Sequence, residues 1–224
     1  MSGHVPLAVL FDLDGTLIDT APEFVAIGLR LRQAAGLPAV APEAIRRRVS
    51  DGAIGMVAAA LEIATADPTF EQWRQRFLND YEKGLGQHSE PYPGLRALVS
   101  ALGVSGIQWG VVTNKLSRFA HPLMEKMNFN PPADIIITPD DVSQPKPHPE
   151  SLILACKRLN CPPDRSVFVG DHRRDIEAGK AAGCATIAAA YGYLADGESA
   201  TAWKADAIAY NSLELSQMIE NQLQ

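Results

Sequence analysis

The sequence predicts an α/β protein: a doubly wound, Rossmann-like parallel sheet with an all-helical cap domain inserted near its start. Three observations predict it. A short apolar run, residues 7–11, ends at a carboxylate. Residues 41–85 then read as helix after helix, with no strand-like run among them. From Tyr92 onward, helix-like and strand-like segments alternate. Strands separated by helices of that length cannot pair as hairpins, so they form a parallel sheet with helices on both faces. The expected division is a core of residues 1–19 and 91–224, with the cap at 20–90.

The elements follow in order. Residues 7–11 read as a buried strand. Thr20-Ala21-Pro22-Glu23 reads as a capping box with proline in the first turn. The helix it opens carries Phe24, Ile27, Leu29, Leu31 and Ala34, and Gly36 stops it. In the helical block, Pro42 and Glu43 begin one helix, and residues 53–64 and 68–81 form two more. Beyond it, helix 95–102 precedes strand 109–113, and helix 118–127 precedes strand 135–138. Helix 150–159 precedes strand 166–170, and helix 176–182 precedes strand 186–189. A short strand at 207–209 and a helix from Leu213 complete the pattern.

Composition narrows the class of function. Of 224 residues, 46% are hydrophobic and 21% charged, as in ordinary soluble globular proteins. A net charge of −6 argues against nucleic acid or an anionic membrane surface as partner. No apolar run approaches the ~20 residues of a membrane span. Asp12 and Asp14 interrupt what would be the apolar region of a signal peptide. Cys156, Cys161 and Cys184 are odd in number and form no Cys-x-x-Cys pair, which suits buried thiols in the cytoplasm.

The chemistry starts at FDLDGTLIDT, residues 11–20. If the extended backbone continued through Leu13, Asp12 and Asp14 would point the same way. Two like charges held close resist joint ionisation. The pair supplies a carboxylate nucleophile beside a carboxylic acid, or a hard-metal site, or both; a plain strand-to-turn junction is the bland reading. Gly15 permits the sharp exit. Other polar groups sit at later strand ends: Thr113-Asn114 after one, Gly170-Asp171 after another, and Lys146 in the loop QPKPHP. Each alone reads as a cap, a turn or a solvated loop residue. Together, in a doubly wound sheet, they meet at the edge where ligands bind.

This set resembles the haloacid dehalogenase superfamily of phosphohydrolases over nearly the whole chain. The first motif of that family reads Asp12-Leu13-Asp14-Gly15-Thr16-Leu17-Ile18-Asp19, the second Thr113-Asn114, the third Lys146, and the fourth Gly170-Asp171 with Asp175. The resemblance implies that Asp12 attacks phosphorus and becomes an aspartyl phosphate. It implies that Asp14 protonates the leaving oxygen and then takes a proton from water. Mg²⁺ would be bound by Asp12, the backbone carbonyl of Asp14, and Asp171. Asp175 would orient the metal's water shell or support Lys146, and Lys146 with Thr113 would stabilise the transferring phosphoryl oxygens. His172 follows Asp171 where relatives carry an acidic or small polar residue, and reads as an outer-shell or surface residue.

Within the superfamily the chain looks like the phosphoglycolate phosphatase type. VVTNK with RFA, KPHPESLILACKRLN, and YGY followed by Trp203 and Ala205-Asp206 look more like the bacterial N-acetylmuramic acid 6-phosphate phosphatases, which act in recycling cell-wall sugars. The implied substrates, N-acetylmuramic acid 6-phosphate and 2-phosphoglycolate, are small phosphomonoesters bearing a carboxylate. Expected substrate contacts are Arg46, from the run Arg46-Arg47-Arg48, then Ser50 and Gly52 in the loop that follows, and Lys115 with Arg118 on the core side. Asp51 in that loop would repel an anionic substrate unless it faced outward. Tyr191, Tyr193 and Trp203 read as packing residues. The expected assembly is a monomer or homodimer. The nearest alternative is a phosphosugar mutase using the same Asp12. Dehalogenation and phosphonate hydrolysis fit less well, because the first needs no Asp14 and the second a cap lysine where only Lys83 stands.

Overall fold

A computed structural model describes residues 5–194 and 197–223. Its central strand, β1 (Ala8–Phe11), is buried along its whole length. Val9 and Phe11 pack on one face of the sheet with Trp109, Val111, Val167 and Val169. Ala8 and Leu10 pack on the other with Val112, Ile137 and Phe168. Burial on both faces is why the strand reads as an unbroken apolar run.

The chain then leaves the sheet. After β2 (Ile18–Asp19) come α1 (Ala21–Ala34), α2 (Pro42–Arg46), a 3₁₀ turn at Val49–Asp51, α3 (Gly52–Leu61) and α4 (Phe70–Gly84). β3 (Glu90–Pro91) pairs antiparallel with β2, closing the excursion with a two-strand stem absent from the sequence expectation. Strands of two residues carry too little periodicity to be read. The remaining order is α5 (Leu95–Val104), β4 (Gln108–Val112), α6 (Ser117–Met127), β5 (Ile135–Ile137), α7 (Glu150–Arg158), β6 (Ser166–Gly170), α8 (Arg173–Ala182), β7 (Ala185–Ala189), β8 (Ala207–Ala209) and α9 (Ser212–Glu220). Expected and observed bounds differ by a few residues. α8 opens three residues early because His172 and Asp175 form a reciprocal capping box.

The sheet order is β5-β4-β1-β6-β7-β8, with every neighbouring pair parallel. The order therefore reverses at β1, which has β4 on one side and β6 on the other. The ends of those three strands, carrying Asp12, Thr113 and Asp171, meet at the switch point.

The helical block packs on this edge through aromatic rings. Phe24 of α1 stacks between Phe77 and Tyr81 of α4, at centroid distances of 5.7 and 4.5 Å. Tyr81 meets Phe119 of α6 edge-on at 5.3 Å. These rings belong to one apolar cluster continuous with the sheet face.

The capping box expected at Thr20 does not form. Thr20 makes no side-chain cap; its hydroxyl donates to Asp14 Oδ1 at 2.7 Å. Glu23 instead accepts from the N–H groups of Gly86 and His88, at 3.1 and 2.8 Å. The cap comes from far along the chain. The Tyr193 hydroxyl accepts from the N–H groups of Thr20 and Ala21, at 2.7 and 2.9 Å, and donates to Asp19 Oδ1 at 2.6 Å. The Asp14 carboxylate takes the threonine hydroxyl, and a distant phenol, helped by Asp19 Oδ1 at 3.2 Å from the Ala21 N–H, caps the helix instead. Tyr193→Phe leaves the buried Thr20 N–H without its partner, while the Ala21 N–H keeps Asp19 Oδ1 at 3.2 Å, so it is expected to cost about 1–3 kcal/mol in urea unfolding. A loss under about 0.5 kcal/mol, the size of a surface change, would contradict this account.

Candidate active site

Asp12 follows β1 directly, and its N–H donates to the Val169 carbonyl at 2.8 Å, which prolongs the sheet register by one residue. The backbone does not stay extended through Leu13, as the strand reading required. The Leu13 carbonyl accepts from the N–H groups of Leu17 and Ile18, at 3.1 and 3.0 Å, forming a tight turn. Gly15 is essential to that turn. Its φ is +84°, and a Cβ there would lie 2.2 Å from Asp171 Oδ2. Asp12 and Asp14 still line one cavity.

The two carboxylates have separate counter-charges. Lys146 Nζ lies 2.9 Å from Asp12 Oδ1, 2.7 Å from Asp175 Oδ1 and 2.8 Å from the Val112 carbonyl. Burial works against the charged ammonium, and Asp12 and Asp175 outweigh it, holding its pKa above the ordinary lysine value. Asn114 brackets the lysine's backbone: its amide donates to the Lys146 carbonyl at 2.9 Å and accepts from the Lys146 N–H at 3.1 Å. Asp14 is gripped instead by Lys115 Nζ, at 2.9 and 3.1 Å from its two oxygens. That ammonium also sits 4.9 and 4.6 Å from the ring centroids of Phe24 and Tyr81. Thr113 anchors the same loop, its hydroxyl accepting from the Lys115 N–H at 3.1 Å.

Asp12, Asp171 and Asp175 each present a carboxylate oxygen within 4.8 Å of the others. Asp171 is held by Thr16 Oγ1 at 3.1 Å and the Tyr193 N–H at 2.8 Å. Burial, then the charges of Asp12 and Asp175, push its pKa well above the carboxylate range. Asp175 is also raised, by burial against the opposing pull of Lys146. Three buried carboxylates around a single ammonium leave an excess of negative charge on hard oxygen donors, which fits a divalent cation such as Mg²⁺. The side chain of Asp14 stands outside this cluster, so the ligand expected from it is its backbone carbonyl alone.

The cavity of about 340 Å³ between sheet edge and helical block gathers Asp12, Asp14, Thr113, Asn114, Lys115, Ser50 and Gly52. It does not gather Arg46. That guanidinium binds Asp19, at 3.0 and 3.3 Å, and lies 5.4 Å from the centroid of Tyr193. Lys115, expected on the substrate, is committed to Asp14. Asp51 lines the cavity with its charge met by Arg48 at 2.8 Å. His172 is half-buried and stands beside the acidic cluster: its N–H donates to Asp175 Oδ2 at 3.0 Å, and its Nδ1 accepts from the Arg174 N–H at 3.1 Å, capping α8. Burial, then the nearby Arg174 charge, lower its pKa. Sequence reasoning missed the hub at Tyr193, whose carbonyl accepts from Ser50 Oγ at 3.2 Å, and the cavity residues Arg74 and Arg174. The YGY string marks Tyr193 only as a packing residue, and neither Arg74 nor Arg174, which lies between Asp171 and Asp175, is singled out.

The family model of haloacid dehalogenase-like hydrolases matches residues 9–189. The chain belongs to that family. It is 44% identical over 216 residues to the N-acetylmuramic acid 6-phosphate phosphatase of Pseudomonas aeruginosa, covering 96% of each protein. It is 34% identical over 203 residues to a phosphoglycolate phosphatase of Xanthomonas campestris, covering 91% of each. A solved structure from Haemophilus somnus, described as a predicted phosphoglycolate phosphatase, shares the fold at a TM-score of 0.84 and 24% identity, over 97% of this chain and 99% of its own. The chain is thus a phosphoric monoester hydrolase within this hydrolase family, and the fold is the family's α/β core. No helix among the described residues is long and apolar enough to cross a membrane.

The raised Asp171 and Asp175 carboxyls dictate a pH response. A group whose folded pKa is raised contributes stability below its unfolded value, about 3.9, and loses it as pH rises through the folded value. Metal-free protein should therefore melt lower as pH climbs out of the acid range. A divalent cation replaces the protons, so added Mg²⁺ should raise the melting temperature more at about pH 8 than at about pH 5. An equal shift at both, or none, would rule out these carboxylates as the cation's ligands.

Proposed function

We propose that this protein hydrolyses a small, carboxylate-bearing phosphate monoester through an aspartyl-phosphate intermediate, with N-acetylmuramic acid 6-phosphate favoured over 2-phosphoglycolate. One observation carries the reading: Asp12 lines the floor of the cavity while its Oδ1 is held by Lys146, itself fixed by Asp175 and Asn114. Locking one carboxylate oxygen orients the group for in-line attack. In this account Asp12 displaces the sugar oxygen, and Asp14 supplies the proton that oxygen needs. Asp14 then takes a proton from the water that attacks the acyl phosphate, which restores Asp12 and frees inorganic phosphate. Thr20 and Lys115 hold the Asp14 carboxylate where both proton transfers occur. Thr113 and Lys146 meet the charge on the transferring group. Mg²⁺, held by Asp12, Asp171 and the Asp14 carbonyl with Asp175 beside them, would supply charge neutralisation when bound.

Residues 20–90 act as the cap and the remainder as the hydrolase core. The cap wall of the cavity, Phe24, Val49, Ala53, Ile54, Leu78 and Tyr81, is mostly apolar. It suits the methyl groups of an N-acetylated lactyl sugar better than a two-carbon acid. The 44% identity to a phosphatase of that sugar supports the same choice. The phosphosugar mutase alternative is not favoured, since relatives of this identity are named phosphatases. Three buried free cysteines suit a cytoplasmic enzyme.

Phosphate release across a panel of phosphorylated metabolites tests the reading. Asp12→Asn should cut turnover by at least about a thousandfold while the protein stays folded. Residual activity within about tenfold of wild type would remove Asp12 as nucleophile. Phosphate retained on the sugar, rather than released, would select the mutase.

A further inference from the structure

The cavity holds three cationic side chains, Lys115, Arg74 and Arg174. Two are already matched. Lys115 is paired with Asp14, and Arg74 makes a two-pronged contact with Glu71, both arms at 2.7 Å. Arg174 differs. Its Nη2 donates to the Ser50 carbonyl at 2.7 Å. Its Nε is buried and has no hydrogen-bond partner. Among the described residues, no carboxylate lies within ion-pairing distance of it. A guanidinium presents five N–H donors in a fixed planar fork, and a buried donor left unpaired is costly. Such a group is completed by a planar oxyanion, above all a carboxylate bound by two parallel N–H donors.

We propose that Arg174, and not a cap arginine, recognises the carboxylate of the substrate; this rests on the carboxylated-ester reading above. The position is apt for it. Arg174 stands in the first turn of α8, after Asp171 and beside Asp175, so the core that binds the phosphoryl group also places the fork. Its bond to Ser50 reaches across 124 residues to the cap loop. A carboxylate bound there would lie where core and cap meet. Asp51, the acidic residue of that loop, is neutralised by Arg48 and offers Arg174 no competing partner.

The test compares N-acetylmuramic acid 6-phosphate, N-acetylglucosamine 6-phosphate (the same sugar without the lactyl carboxylate) and 4-nitrophenyl phosphate. In Arg174→Gln, kcat/KM for the carboxylated ester should fall roughly 30- to 100-fold. The loss on the other two should be at least about tenfold smaller. Arg174→Lys keeps the charge without the fork, and should lie between wild type and Arg174→Gln on the carboxylated ester alone. It also serves if the glutamine variant does not fold. Equal losses on all three esters would make Arg174 a phosphoryl contact or a brace for the Ser50 loop, and overturn the proposal. If wild type prefers the carboxylated sugar and both variants keep that preference, this inference falls while the substrate reading stands. If wild type itself shows no preference, for this pair or for 2-phosphoglycolate over ethyl phosphate, the substrate reading fails and takes the inference with it.

Discussion

One buried ammonium organises the centre of this molecule. Lys146 is enclosed, with Asp12, Asp175 and the Val112 carbonyl around its Nζ. Those groups come from the ends of β1 and β4 and from α8, while the lysine itself comes from a loop after β5. Buried carboxylates are tolerated only when paired, and removing one partner of such a pair typically costs about 3–5 kcal/mol. The lysine thus makes the convergence of four chain segments energetically acceptable. Asn114 holds the lysine's backbone from both sides, so the charge has little freedom to leave.

The same constraint separates the two aspartates of the first motif. Asp12 belongs to the core and its ammonium. Asp14, two residues on, turns toward the helical block and is held by Lys115, Thr20 and the aromatic pair behind Lys115. The proposed nucleophile needs a fixed position, whereas the proposed acid and base needs contact with both the leaving group and water. Distinct partners provide both. Because Thr20 precedes α1, Asp14 is also tied to the entry into the helical block.

Tyr193 extends that tie to the cation cluster. Its N–H holds Asp171, its hydroxyl caps α1, and its carbonyl meets Ser50. One residue on the loop after β7 thereby touches a carboxylate of the acidic cluster, the first helix of the helical block and the Ser50 loop over the cavity. Gly192 beside it is required, since a Cβ there would lie 2.3 Å from the Asp171 Cβ.

Much of this was legible along the chain. The parallel sheet followed from strand-like runs spaced by helices; Asp12, Thr113 and Asp171 were marked by their places at strand ends, and Lys146 by its proline-flanked loop. Asp175 reads, from the family resemblance, as orienting a metal's water shell or supporting Lys146, and it lies 2.7 Å from that lysine. These features are local: periodicity and the polar residue that ends an apolar run are properties of adjacent positions. Other features were decided only by folding. Thr20 reads as a cap until Asp14 is brought within reach, Arg46 reads as a substrate contact until Asp19 claims it, and Tyr193 reads as packing until its hydroxyl meets α1. Each is a competition for a hydrogen bond or a charge among groups on different elements, from six to 173 residues apart. Adjacent residues alone therefore determined where the chemistry-bearing groups stand, and the tertiary structure decided which partner each one keeps.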